Sequence, residues 1–321
     1  MKILVLHSDV PPDAPPEDQD TLIAARAISE ALVSRGHTAP LAAFVNDREA
    51  LRKLVTPHRP DVVFNLVEAI EGEGRLAYLA PQMLADIGVP FTGAGARALV
   101  LTGDKPRTKA MLREAGLPTP CWSEPPNWEW LGAGRWVVKS ADEDASVGLD
   151  DGAVVEADAV EARAATCADK FGGRWFAEEF IDGREFNIAI IEREGEPHIL
   201  PMAEMMFVGW PVARPKIVGY NAKWDDASFE STKTVRRFGV EYREPALARE
   251  LRFLCEECWA LFRCRGSARV DFRIDSEGRA LILEINPNPG IAPDAGLNAA
   301  AQEAGLSYAD LVEGIVQEAV R

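Results

Sequence analysis

An α/β fold is predicted by three features of the chain. Strand and helix patterns alternate over the first hundred residues, a Gly/Pro break follows near residue 116, and a two-faced β-hairpin lies close to the C-terminal end. The first feature predicts a doubly wound parallel layer, and the other two predict a pair of smaller α+β units behind it. With 321 residues the chain can support two or three domains.

Residues 2–7 open the layer as a short apolar β-run. A helix is expected over 21–34, with Asp20 as its N-cap and Gly36 closing it. Strand 39–45 and helix 47–55, capped by Asn46, come next. Residues 61–66, Asp-Val-Val-Phe-Asn-Leu, are nearly all apolar, as in a parallel strand buried on both faces. Helix 76–87 and a fourth strand at 89–92 complete the layer. The Pro-rich acidic stretch 11–20 reads as a loop at the carboxyl end of the first strand, where such sheets bind ligands. Gly93-Ala94-Gly95-Ala96-Arg97-Ala98 fits a GxGxxA fingerprint, but it follows the fourth strand instead of the first, so no nicotinamide cofactor is expected.

A helix from 102 to 115 ends at Gly116-Leu117-Pro118-Thr119-Pro120, and a boundary is placed near residue 102. The units are then 1–102, 103–183 and 184–321. The middle unit has strand 135–139, loop 140–148, helix 159–170 and strand 174–181. The last has strand 185–191, a partner at 198–207, an irregular segment 219–226, helix 245–262, the hairpin, and closing helices 297–304 and 308–320.

In the hairpin, period two puts Arg269 and Asp271 on one face and Val270 and Phe272 on the other. Beyond the turn Asp275-Ser276-Glu277-Gly278, Glu284 and Asn286 share a face. Three hard oxygen ligands and a guanidinium on one surface suit magnesium holding a polyphosphate. An edge hairpin with one solvated face is the alternative at this point. No Gly-rich Walker loop is present, so the candidate phosphate cradle is Lys105, Lys139 and the turn Ser146-Val147-Gly148. Lys139 ends an apolar strand, where an unpaired ammonium is costly unless an anion meets it.

Composition narrows the partners. A net charge of −16 without any Lys/Arg cluster argues against nucleic acid and for small molecules or other proteins. The N-terminus lacks a secretory pattern and no apolar run approaches membrane-spanning length, so a cytoplasmic protein is expected. Five scattered cysteines do not make a disulfide framework. Cys255 and Cys258 match CxxC in mid-helix, but no second pair or nearby His completes a zinc set.

The order of the remaining motifs carries a resemblance. Asp104-Lys105-x-x-x-Lys109 is followed by Val137-Val138-Lys139 with its Ser-Val-Gly loop. Then come Glu178-Glu179-Phe180-Ile181-x-Gly183-x-Glu185-Phe186 and Asn221-Ala222-Lys223-Trp224. Arg269-x-Asp271 and Glu284-x-Asn286-x-x-Pro289-Gly290 close the series. Together they resemble the ATP-grasp superfamily, in its D-alanine–D-alanine ligase branch. The resemblance implies an ATP-grasp fold in which two α+β subdomains sandwich ATP behind an N-terminal doubly wound domain. It implies that Glu178 receives the adenine amino group, that the backbone at Phe180 and Ile181 reads the adenine edge, and that Glu185 binds ribose. Lys105 and Lys139 would neutralise phosphate charge under the lid Ser146, Val147 and Gly148, with Lys223 at the γ-phosphate. Asp271, Glu284 and Asn286 would hold two magnesium ions, or manganese. The implied reaction is phosphorylation of a carboxylate by ATP and attack of an amine on the acyl phosphate, with Arg269 and the Gly290 N–H stabilising the oxyanion. A homodimer through the N-terminal domain is also implied.

The substrate end departs from the family pattern. Ala295 and Gly296 stand where a Ser-Leu pair usually grips the second substrate's carboxylate, and Ala145-Ser146 where two serines are usual. Trp224 replaces the tyrosine after the loop lysine, so a hydrogen bond between the two loops is expected to be lost. Leu66-Val67-Glu68 replaces a His-Gly motif. Glu68 is a candidate for recognising a substrate amine, or a plain strand-end carboxylate. Asp294 in the acceptor pocket is expected to favour an amine or neutral acceptor over a free carboxylate. The expected function is therefore a D-alanine–D-alanine ligase-type enzyme acting on amino-acid or carboxylate and amine substrates. The alternatives are a ligase of the same fold for a natural-product carboxylate and a catalytically silent nucleotide-binding protein, which loss of Arg269, Asp271, Glu284 or Asn286 would have indicated.

Overall fold

The computed structural model describes residues 1–128, 131–143 and 146–321. Strands β1 (Ile3–His7), β2 (Leu41–Ala43) and β3 (Val62–Leu66) form a parallel sheet in the order β2-β1-β3. Helices α1 (Pro16–Ser34), α2 (Arg48–Val55) and α3 (Leu79–Asp86) connect and cover it. Helix α1 starts at Pro16, before the expected residue 21. Proline suits the first helical turn because its missing N–H would find no partner there anyway. Glu17 and Asp18 thus occupy the first turn, where the helix dipole favours acids, and half of the expected acidic loop is helix. Asp47, not Asn46, caps α2, accepting from the Ala50 N–H at 2.7 Å. The expected fourth strand is reduced to one bridge between Val63 and Phe91. Val63 donates to the Pro90 carbonyl and accepts from the Thr92 N–H, and Pro90 itself has no N–H with which to extend the pairing.

Helix α4 (Ala96–Thr102) was not expected, and the helix that follows it is α5 (Lys105–Glu114), capped by Asp104 on the Arg107 N–H at 3.0 Å. The Gly-Ala-Gly segment ahead of α4 packs on backbone. A Cβ on Gly266 would lie 2.8 Å from the Gly93 N and Cα atoms. Glycine at 266 therefore permits a close crossing of two chain segments at Gly93.

The second sheet is antiparallel: β4 (Trp122–Ser123), β5 (Arg135–Ser140), β6 (Val154–Glu156) and β7 (Trp175–Glu179), in the order β4-β7-β5-β6, with α6 (Val160–Phe171) packed on it. The third contains β8 (Arg184–Arg193), β9 (Glu196–Ile199), β10 (Ala203–Phe207), β11 (Thr234–Arg237), β12 (Ser267–Ile274) and β13 (Ala280–Asn286). Its path is β11-β10-β8-β12-β13, with β9 also on β8. The expected partner at 198–207 is thus two strands, both paired with β8. Short helices α7 (Tyr220–Trp224), α8 (Phe229–Lys233) and α9 (Val240–Arg243) precede α10 (Pro245–Phe262), and α11 (Gly296–Glu303) and α12 (Tyr308–Ala319) close the chain.

Strand β8 is the seam of the molecule. Phe186, Ile188 and Ile190 point into a core with Leu251, Leu254 and Phe262 of α10. The alternate residues Ala189 and Ile191 join a second core with Ile3 and Val5 of β1 and with Leu311 and Ile315 of α12. One strand therefore ties the C-terminal sheet to the N-terminal layer by period two alone. All five cysteines are free. Cys255 and Cys258 lie buried in the α10 core, and burial pushes both thiols above their ordinary range, as expected of packing thiols. Among the described residues no helix is long and apolar enough to cross a membrane.

Candidate active site

The period-two logic of β8 and β12 builds the floor of a cavity of about 860 Å³. Val270, Phe272 and Ile274 enter the α10 core. The alternate residues Arg269, Asp271 and Arg273, with Glu185 and Asn187 of β8, line the cavity. Strand β13 adds Glu284 opposite Asp271 and Asn286 opposite Arg269. The four residues expected to share one face of the hairpin do share it. Arg269 donates to both Asp271 oxygens at 2.7 Å and lies 3.6 Å from Glu284. Asn286 Oδ1 accepts from the Asn288 N–H at 2.8 Å. Burial raises the Asp271 carboxyl, opposed by Arg269 and reinforced by Glu284. Burial works the same way on Glu284, but Lys105, Arg269, Lys223 and Lys139 outweigh it and hold the carboxyl at about 2. Glu284 is thus an anion over the whole physiological range. Among the described residues no three His, Cys, Asp or Glu side chains form a metal cluster. The set here is two carboxylates and an amide oxygen in cross-strand register, which as hard oxygen donors fit magnesium.

The opposite wall comes from β5 and β7. Glu178 is 2% exposed and sits between two ammonium groups, Lys139 Nζ at 2.6 Å and Lys109. Burial would raise Glu178, but the two lysines outweigh it and lower the carboxyl. Lys109, 1% exposed, also donates to Thr119 Oγ1 at 3.0 Å and to the Leu283 carbonyl at 3.3 Å, so it ties the clamp to β13. Burial lowers the Lys109 ammonium, with Glu178 pulling the other way. The Phe180 N–H is donated to the Arg135 carbonyl at 2.9 Å. Glu185 forms a buried ion pair with Arg273 at 2.8 Å. Lys105 Nζ donates to the Glu143 carbonyl at 2.8 Å, and the Glu143 carboxylate accepts from the Gly74 N–H at 3.1 Å.

Two loops cover the cavity. Ser146 and Gly148 both adopt positive φ, and a Cβ on Gly148 would meet the Trp175 ring at 2.5 Å, so only glycine fits there. Ala145, the other half of the unusual serine position, lies outside the described residues. Two hydrogen bonds join these loops. Ser146 Oγ donates to the Val218 carbonyl at 3.4 Å, and the Tyr220 N–H to the Leu149 carbonyl at 2.9 Å. The Tyr220 hydroxyl donates to Glu17 at 2.5 Å, tying α7 to the first turn of α1. Lys223 opens to the cavity from α7. The protein around it and the neighbouring Arg269 lower its ammonium, while Glu284 and Asp271 pull the other way.

Glu17, Asp18, Asp20, Glu68 and Asp294 also line the cavity. The Glu68 and Ala69 N–H groups donate to Ser8 Oγ at 3.1 and 3.2 Å, which fixes the strand end that carries Glu68. Lys109 and Tyr220 were not singled out from the sequence. Lys109 stood inside a quoted motif.

The family model for the D-ala D-ala ligase C-terminus matches residues 134–317. That span takes in the whole cavity floor. The chain belongs to the D-alanine–D-alanine ligase family. It is 34% identical over 269 residues to the uncharacterised protein y4sG of Sinorhizobium fredii, covering 81% of this chain and 75% of that protein. It is 30% identical over 332 residues to the D-alanine–D-alanine ligase of Erythrobacter litoralis, covering 95% and 90%. The D-alanine–D-alanine ligase of Bacillus anthracis, solved with ATP, superposes with a TM-score of 0.75 at 19% identity, covering 100% of this chain and 98% of that one. The fold is accordingly the ATP-grasp architecture of these ligases, with its parallel N-terminal layer and two antiparallel sheets facing the cavity.

Proposed function

We propose that this family member is an ATP-dependent carboxylate–amine ligase, joining an amino acid or other carboxylate to an amine with release of ADP and phosphate. The observation that carries the reading is the cross-strand register: Asp271 opposite Glu284 and Arg269 opposite Asn286 on one cavity face. The three units follow the boundaries 1–102, 103–183 and 184–321, with ATP between the last two.

Asp271, Glu284 and Asn286 would hold the metal, and when bound it supplies charge neutralisation for the transferring phosphoryl group. Lys105, Lys139 and Lys223 bind the polyphosphate, with Ser146, Val147 and Gly148 as its lid. Ile181 reads the adenine edge, because the Phe180 N–H is already engaged by Arg135. Glu185, held by Arg273, faces the ribose. Both oxygens of Glu178 face ammonium groups, so its proposed duty is to set Lys139 instead of receiving the adenine amino group. The substrate carboxylate attacks the γ-phosphorus, ADP leaves, and the amine then displaces phosphate from the acyl phosphate. Arg269 and the Gly290 N–H stabilise the oxyanion of that second step. Glu68 and Asp294 face the amine-bearing parts of the substrates. No protein nucleophile is needed, because positioning and charge stabilisation do the work in phosphoryl transfer.

The altered turn 294–296 and the acidic substrate end favour a substrate pair other than two D-alanines. A phosphate-release screen of amino acids, singly and in pairs, with magnesium and ATP tests the reading. Release that depends on a carboxylate and an amine together supports it; no release with any pair refutes it.

A further inference from the structure

Most cations lining the cavity are engaged. Arg269 grips Asp271, Lys139 pairs with Glu178, and Arg273 pairs with Glu185. Arg236 on edge strand β11 differs from its neighbour Arg237, which donates to Glu204 at 2.6 Å. Arg236 forms no salt bridge within 4.0 Å of any described residue. Its Nη1 donates to the Asp294 carbonyl at 3.3 Å, which anchors the guanidinium over the turn 294–296. A Cβ added to Gly296 would stand 3.9 Å from Arg236 Nε and 4.0 Å from Nη2, so any larger residue there would fill the space beside the fork. With glycine, that space belongs to the cavity, which Arg236, Asp294 and Gly296 all line.

We infer that Arg236 binds the carboxylate of the amine-donating substrate, which is therefore an amino acid with a free carboxyl group. The inference rests on the ligase reading. A guanidinium presents a planar fork that matches a carboxylate in two parallel hydrogen bonds, and Arg236, exposed and without a salt bridge to any described residue, has its fork open to such a partner. Arg269 repels Arg236 while Asp294 attracts it, so an anion bound at Arg236 offsets the first interaction. Asp294 taken alone disfavours a carboxylate, and the sequence expectation followed from that. With Arg236 beside it, the turn offers one group of each sign, which matches the ammonium and carboxylate of an α-amino acid.

A ligation product keeps the acceptor's carboxylate as its only free one, so dipeptides isolate this contact. Calorimetry with magnesium and ADP present would compare a panel of dipeptides, including D-alanyl-D-alanine, with their C-terminal amides. The wild type is expected to bind its best dipeptide roughly ten- to a hundredfold tighter than the amide. Arg236→Ala should erase that gap, Arg236→Lys should restore part of it, and ADP affinity should stay unchanged in both as a check on folding. Equal binding of acid and amide by the wild type, or a gap that survives in Arg236→Ala, overturns the assignment. Failure of the ligase reading would appear separately, as absence of phosphate release from ATP in the wild type.

Discussion

Replacing Glu178 by glutamine tests the lysine clamp with almost no change of shape. The wild-type cluster holds one carboxylate between two ammonium groups, with side-chain exposures of 2%, 1% and 14% for Glu178, Lys109 and Lys139. Glu178→Gln leaves two positive charges near each other with no anion between them, one of them fully buried. Breaking a buried pair in this way costs about 3–5 kcal/mol. Lys109→Met, by contrast, leaves Glu178 paired with Lys139, so the charge count predicts a smaller loss. The double variant Lys109→Met/Glu178→Gln should recover much of the single variant's deficit, since no buried unpaired charge remains. Urea unfolding of the three variants reads these differences. The deficit of Glu178→Gln should also narrow as pH rises. Lys109 has a folded pKa below its ordinary 10.5, so its neutral form is the one the fold favours, and that stability is present above 10.5 and lost as pH falls through the folded value. A Glu178→Gln deficit under about 1 kcal/mol, or one smaller than that of Lys109→Met, would refute the reasoning.

Three further outcomes are expected. Glu284→Gln removes the most firmly ionised group of the cavity floor, and phosphate release should fall roughly a hundredfold or more with the circular dichroism unchanged; near-normal turnover would count against the metal assignment. Lys139→Ala should raise the ATP KM about tenfold or more while Glu178 keeps Lys109 as its partner; an unchanged ATP KM would remove Lys139 from the phosphate site. Asp20→Asn should raise the melting temperature at pH 7.5. Burial and the neighbouring Asp294 raise the Asp20 pKa above 3.8, so its contribution to stability is full below 3.8 and lost as pH rises through the folded value. The gain should vanish near pH 3.5, and a gain equal at both values would show that charge is not the cause.

The legible parts of the chain were those where one period or one cap decides the outcome. Helix α10 was read to the residue because Pro245 opens it and an unbroken apolar stripe runs to Phe262. The hairpin faces were read because every cavity residue of β12 alternates with one of the α10 core. What failed was decided between segments distant in sequence. The apparent strand at 89–92 reduces to a single bridge because Pro90 can only accept. The Glu17–Tyr220 bond spans 203 residues, and no local pattern announces it. Glu178, for which the motif implies a nucleotide ligand, also has two ammonium partners that no motif announces. Its burial between Lys109 and Lys139 follows only from the packing of α5 against β13 and the pairing of β5 with β7.

The same division explains where the family likeness thins. Arg269, Asp271, Glu284 and Asn286 stand on strands whose opposite faces are the hydrophobic core, so their positions are over-determined by packing and cannot drift without cost to the fold. Ala295 is the N-cap of α11, Gly296 its first residue, and Trp224 the last residue of the short helix α7. Each is held by a few backbone hydrogen bonds, such as Ala295 N–H to the Ala292 carbonyl. Changes there leave the carboxylate face of the hairpin where it is and alter only what reaches it. Arg236 belongs to this second group, since edge strand β11 pairs on one side only, with β10. An edge strand can change its outward residues without disturbing the sheet, which makes it a ready place for a new substrate contact. The cavity floor is thus written into the two-faced strands and, under the proposed ligase reading, the choice of acceptor into the rim.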